Sequence, residues 1–335
     1  MTARRRFGIG IIVAAGFAAL VGSARAADQV VVYSANESVL DNLVFEAFKK
    51  ETGIQVQPVE AGSGVLMKRI GAEKDRPQGD IIWGVSRSLM QTNAQYFQAY
   101  RSANVDAVPP EFRDPNDLWL GTNLHLLVIL ANTKAVAEAD MPKSWADLAD
   151  PKWKGKIAFT DPANSGSAYT NTTLWVDLFG GGDKGWDMTK KIYANLKILN
   201  KSSLVFSGVG EGEYPLGVSL EYAGYLWQHN GAPVKVIYPS DGTVVQMEGV
   251  AVIKGGPNTE AAKKFVDFVS AKATRELILA HTFRRPARQD LDLEHLPGGL
   301  PTLAKVALFK YDEAKWTAER DPTMKKIQDL IQATR

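Results

Sequence analysis

The 335-residue chain predicts an α/β protein of two doubly wound lobes joined by a two-strand hinge. Three observations carry this. Past residue 28 the chain opens strand–helix–strand. Short apolar strands then keep alternating with helical periodicity, the pattern of helices laid over a mostly parallel sheet. Two long apolar runs, Leu124–Leu130 and Met247–Ile253, stand far apart in the chain and suit a pair of crossings between lobes. The length favours two units, because single cores stop growing near this size.

The elements follow in order. Residues 1–26 read as a cleaved secretory signal: Arg4, Arg5 and Arg6 form a basic head, Phe7 to Gly22 an apolar run, and Ala24-Arg25-Ala26 a small-x-small cleavage site. The run is too short for a spanning helix. Arg4-Arg5-Arg6-Phe7 also resembles the twin-arginine export motif. Val30 to Tyr33 is a strand, Leu40, Leu43, Val44, Ala47 and Phe48 fall at helical spacing, and Gly53 precedes the strand Ile54–Val59. A helix carrying Val65, Leu66 and Ile70 follows Gly62-Ser63-Gly64, and Asp80 to Trp83 is a short buried strand.

Asp147, three residues after Ser144, marks a capped helix start. Lys156 to Thr160 is a strand running into Asp161–Ser167 and a helix bearing Leu174, Trp175 and Leu178. Leu216–Leu220 and Val234–Tyr238 are strands flanking a helix over Tyr222–Gln228. Ala261, Ala262, Phe265, Val266 and Phe268 form one face of a late helix, and Lys305–Arg335 reads as one or two surface helices. The expected organisation is therefore 27–126 with 249–335 as lobe one, and 127–248 as lobe two.

Composition excludes several functions. The chain has no cysteine, which removes disulfides, thiolate metal sites and cysteine nucleophiles. Its formal charge of +2 becomes −2 without residues 1–26, which hold four arginines and no acid, so no nucleic-acid partner is expected. The four histidines are scattered without metal-ligand spacing, and no G-x-S-x-G elbow appears. Gly208-Val209-Gly210-Glu211-Gly212 lacks the Lys-Ser/Thr of a phosphate loop and reads as a turn. These gaps weigh against a periplasmic phosphatase or another enzyme.

Three segments share one construction, a strand, a Ser/Gly/Asn-rich turn and a helix: Tyr33–Ser38, Ala61–Gly64 and Pro162–Tyr169. A helix N-terminus offers unpaired N–H groups and the positive end of its dipole, and small residues let an anion approach. Each serine can alternatively be a simple helix cap. Glu221 and Glu248 are candidate partners for a ligand hydroxyl or ammonium, or else a surface acid or hinge salt bridge. Trp83 and Tyr222 are candidate cleft walls, with core burial the alternative for Trp83.

Val31–Glu37, Asp80–Gly84, Trp145–Leu148 with Pro151–Lys156, Asp161-Pro162 with Ser165–Ser167, Gly212–Gly217 and Lys264–Phe268 together resemble the branch of ABC-importer solute-binding proteins that includes ferric-ion binders. The resemblance covers nearly the whole chain past the signal. It implies the type II periplasmic-binding-protein fold, closing on a ligand about a two-strand hinge, with a permease at the inner membrane as partner. Ferric binders carry a tyrosine pair where this chain has Tyr222 and Ala223, so one phenolate is missing. Members that bind small organophosphorus anions, such as phosphorylated sugars or an aminoalkylphosphonate, are more similar. The family's phosphate contacts would fall on Ser34, Ser63, Gly64, Ser165, Gly166, Ser167 and Ala168.

The candidate ligand-binding residues are therefore Ser34, Asn36, Glu37, Ser63, Gly64, Trp83, Ser165, Gly166, Ser167, Ala168, Tyr169, Glu221, Tyr222 and Glu248. The expectation is a monomeric periplasmic receptor for a small anion, with no catalytic residue, cofactor or resident metal. Tyr222 and Glu37 serve as metal ligands only in the alternative, a ferric-ion receptor.

Overall fold

The computed structural model describes residues 29–334; the expected signal at 1–26 lies outside the described residues. Eleven strands form one continuous hydrogen-bonded network. They are β1 (Gln29–Ser34), β2 (Gln55–Glu60), β3 (Ile81–Ser86), β4 (Phe97–Gln98), β5 (Leu120–Asn132), β6 (Ile157–Thr160), β7 (Leu196–Leu199), β8 (Leu216–Leu220), β9 (Val234–Ile237), β10 (Val245–Ile253) and β11 (Arg285–Pro286). The main order is β2-β1-β3-β10-β5-β8-β6-β7, with β4, β9 and β11 pairing beside it. The helices are α1 (Ser38–Thr52), α2 (Ser63–Ala72), α3 (Arg87–Thr92), α4 (Gly166–Leu178), α5 (Gly182–Tyr193), α6 (Ser202–Glu211), α7 (Glu221–His229), α8 (Thr259–Ser270), α9 (Lys272–Thr282), α10 (Glu313–Ala318) and α11 (Arg320–Thr334). No described helix is long and apolar enough to cross a membrane.

β1, β2 and β3 are parallel, as are β6, β7 and β8. Between these two groups lie β10 and β5, antiparallel to each other and to the strands on their flanks. All thirteen residues of β5 are buried, which explains why Leu126 to Ala131 reads as a continuous apolar run rather than an alternating one. The two hydrophobic cores divide along this pair. Leu120 and Leu124 of β5 belong to the first core, and Leu126 to Ala131 to the second; Met247 belongs to the first and Val244 to the second.

Three expectations need correction. Residues 249–335 do not all join lobe one: Leu300, Trp316, Ile327 and Ile331 bury into the second core, because the tail crosses back over α4 and α5. The glycine-rich stretch 208–212 is not a turn. Gly208 and Gly210 lie within α6, where the Tyr214 and Trp227 rings occupy the space a Cβ would need, and only Gly212, at φ 87°, ends the helix. The segment after Ser144 is a short 3-10 helix, Ala146–Ala149, although its capping is reciprocal as expected: the Ser144 hydroxyl accepts from Asp147 N–H, and the Asp147 carboxylate accepts from Ser144 N–H.

Candidate functional site

A cavity of about 240 Å³ lies between the lobes, over β10. Five helices of eight or more residues bring their N-termini to it: α1 through Glu37 and Ser38, α2 through Gly62 and Ser63, α4 through Ser165, Gly166 and Ser167, α6 through Lys201, Ser202 and Ser203, and α7 through Leu220 and Tyr222. Each begins just beyond the carboxyl end of a strand, β1, β2, β6, β7 and β8 in turn, where open α/β sheets bind ligands. The walls are rich in hydroxyls, and the helix ends add positive dipole character.

The lobes touch at this end. Gly166 N–H of α4 donates to Ser63 Oγ of α2 at 3.1 Å, and Gly64 N–H donates to the Asn164 carbonyl at 3.3 Å. Ser165 Oγ meets Ser167 Oγ at 3.0 Å and Ser202 Oγ at 3.2 Å, so α4 and α6 present one hydroxyl cluster. Ser86, at the end of β3, is 3 % exposed and lines the cavity beside Gly166, and its Oγ finds no partner among the described residues. Lys201 stands at the rim and makes no ion pair among the described residues.

The rest of the floor is a charged network. Arg284 is 1 % exposed. Its guanidinium pairs with Glu37 and, at 3.4 Å, with Glu248, and its centre lies 3.7 Å from the centroid of the Tyr222 ring. Glu248 also accepts from His125 Nε2 at 2.9 Å. Burial works to raise the Glu248 carboxyl, but His125 and Arg284 outweigh it and hold the group below the usual range. The Tyr222 hydroxyl donates to Glu37 across the cleft. Burial pushes that phenol well above its ordinary value; Arg284 opposes this, and the neighbouring Glu37 and Glu248 add to it. The group is thus a neutral hydrogen-bond donor at neutral pH. Among the described residues no group of three or more His, Asp or Glu side chains could hold a metal ion.

The structure brings Asn36, Glu37, Ser63, Ser165, Gly166, Ser167, Tyr222 and Glu248 together on the cavity wall. It places the other candidates elsewhere. Trp83 is fully buried against Phe45 and Phe265 in the first core. Tyr169 points into the second core and donates to the Trp316 carbonyl at 2.6 Å. Glu221 is consumed by a bidentate pair with Arg285, at 2.6 and 3.0 Å, and by the Tyr238 hydroxyl at 2.7 Å, so it is a buried salt bridge. Ser34 lies beneath the wall, donating to Asp41 at 2.7 Å and accepting from Asn36 Nδ2 at 3.0 Å. Ala168 N–H is taken by the Ser165 cap, and Gly64 packs against the Ala163 carbonyl behind the wall.

Sequence reasoning missed Lys201, Ser202 and Ser203, although the signal was present: β7 is followed by a Lys-Ser-Ser turn and a helix, the same construction as the three segments recognised. It also missed Gly84, whose φ of 79° bends β3 beneath Asn36, and Gln246, Ser86 and Arg284, which carry no local signature.

Residues 78–315 match the family model described as bacterial extracellular solute-binding protein. A protein of Haemophilus influenzae is 30 % identical over 321 residues, covering 92 % of this chain and 91 % of its own. A Salmonella typhimurium periplasmic protein named for 2-aminoethylphosphonate binding is 25 % identical, covering 74 % of each chain. Iron uptake protein A1 of Synechocystis sp. is 25 % identical over 84 % of this chain and 79 % of its own. Among solved structures, the periplasmic binding protein AfuA of Actinobacillus pleuropneumoniae with fructose-6-phosphate bound superposes with a TM-score of 0.84 at 28 % identity, over 91 % of this chain and 99 % of that one.

Proposed function

The chain belongs to the bacterial extracellular solute-binding proteins, the capture components of ABC importers, and on that premise we propose that it binds a small organophosphorus anion between its lobes. The observation that carries the reading is the convergence of five helix N-termini and a serine cluster on one cavity. A phosphoryl or phosphonyl group there receives backbone N–H and hydroxyl donors, and the dipoles of α2, α4 and α6 favour its charge. The Glu37–Tyr222–Glu248–Arg284 end then faces the remainder of the ligand.

Capture proceeds by closure. With the lobes apart, the helix ends of each lobe offer half a site; closing about β5 and β10 completes it. The ligand shifts this equilibrium only because the closed form binds it better. The closed form is what a permease of the inner membrane would read. The receptor works in the periplasm as a monomer, exported by the segment 1–26, and carries no catalytic role.

A thermal-shift panel of phosphorylated sugars, phosphonates and ferric salts, with native mass spectrometry on protein purified without refolding, tests this. One phosphorus compound is expected to raise the melting temperature. The double substitution Ser165→Ala and Ser167→Ala is expected to weaken it at least about tenfold while costing about 1 kcal/mol of stability through the lost cap. Silence to every phosphorus compound, or unchanged affinity in the double variant, overturns the assignment.

A further inference from the structure

We propose that Gln246 reads the ligand, its amide pairing with a hydroxyl on the end away from phosphorus. The inference rests on the organophosphorus reading above and narrows it to hydroxyl-bearing compounds such as phosphorylated polyols and sugars.

Side chains two apart on a strand share a face, so Gln246 and Glu248 both rise from β10 toward the cavity, and both line it. Glu248 is paired with Ser86 across β3, and Gln246 with His125 across β5. Gln246 is therefore offset by about 7 Å along the floor from the Ser86–Glu248 pair, on the side where the His125 ring meets the Tyr222 ring at 4.9 Å. The phosphorus group, held by the α4 end beside Ser86, leaves its substituent to run toward Gln246.

The two carboxylates at this end are already answered. Glu37 accepts from the Tyr222 hydroxyl and from Arg284. Glu248 accepts from His125 and Arg284. Gln246 is different. It is 4 % exposed, its amide makes no hydrogen bond among the described residues, and its oxygen is fully enclosed without a partner. Burying an amide unpaired is costly, and this residue lines the cavity. A primary amide offers one acceptor and two donors, which matches a hydroxyl, donor and acceptor at once. An ammonium, donor only, would be served better by a free carboxylate, and both carboxylates here are tied to cations or donors.

The test compares fructose 6-phosphate, 2-aminoethylphosphonate and inorganic phosphate by calorimetry on the chain lacking residues 1–26, in the native protein and in Gln246→Leu and Gln246→Glu. Gln246→Leu is expected to weaken fructose 6-phosphate about tenfold to a hundredfold, leave inorganic phosphate within about twofold, and keep the melting temperature. Gln246→Glu, which keeps an acceptor, is expected to lose less. Equal losses for sugar phosphate and inorganic phosphate, or no loss at all, overturn the role of Gln246. Binding of 2-aminoethylphosphonate without fructose 6-phosphate overturns the hydroxyl assignment and leaves the phosphorus site standing. A native protein that ignores all three compounds overturns both.

Discussion

Gly166 and Ser63 meet across the cleft, the backbone N–H of one donating to the hydroxyl of the other at 3.1 Å. The first residues of α4 and α2 thus touch directly, backbone against a small side chain. The closed geometry depends on that lack of bulk.

Gly64 tests the point. A Cβ there would lie 2.1 Å from the Ala163 carbonyl oxygen of the opposite lobe, with backbone on both sides. Gly64→Ala is expected to hold the cleft ajar and weaken ligand binding at least about tenfold, because apparent affinity falls with the fraction of protein able to close. Alanine within α2 is otherwise favourable by about 0.5–1 kcal/mol over glycine, so stability is expected to hold or rise. Small-angle scattering should show no contraction on adding ligand; contraction with native affinity would refute the closure argument.

Arg284 holds two carboxylates and an aromatic face in the hinge floor. Arg284→Met removes the cation and leaves the buried Glu248 beside the partly exposed Glu37. Breaking one partner of a buried pair costs about 3–5 kcal/mol, and a fall of that size in a urea titration is the expected outcome. A variant as stable as the native protein would mean that the network contributes nothing net.

Asp41 predicts a pH dependence. Burial raises its carboxyl to about 7; the Ser34 hydroxyl and Arg284 oppose the rise, and Glu60 and Glu37 add to it. The folded state therefore holds a proton that the unfolded state has released above about pH 4. Stability from this group is full at or below pH 4, declines as pH rises toward 7, and is flat above. The difference in unfolding free energy between the native protein and Asp41→Asn should follow that course, with the variant gaining relative stability at pH 7.5. A difference independent of pH between 4 and 8 would refute it.

Tyr222 separates the phosphorus reading from the ferric one. Its hydroxyl is engaged by Glu37, and Ala223 beside it offers no second phenol. Adding ferric citrate at pH 7 is expected to produce no visible charge-transfer band, and Tyr222→Phe to change nothing in that spectrum. A band that disappears in Tyr222→Phe would establish iron as the cargo.

Much of the fold was legible because its signals are local. The run Val30–Tyr33, the helical spacing of Leu40, Val44 and Phe48, and the Gly53 stop each report the state of their own segment. The Ser-rich turns were legible for the same reason, since a helix start announces itself in its first residues. The tail was not: Trp316 and Ile331 carry an ordinary amphipathic pattern, and nothing in that pattern says which of two cores will receive them.

The sequence by itself determined the alternation of strands and helices, the two buried crossings and the chemistry at the helix ends, because backbone period and turn composition are properties of neighbours in the chain. Only the tertiary structure decided which candidates line the cavity. Glu221 and Glu248 look equivalent in sequence, yet Arg285 and Tyr238 consume one, while β10 turns the other into the cavity. Ser34 sinks beneath the wall, and Ser63 reaches across the cleft to Gly166. The Glu221 and Ser63 outcomes depend on strand register and on partners 64 and 103 residues away, and a side chain's direction there is fixed by the packing of both segments, not by its own.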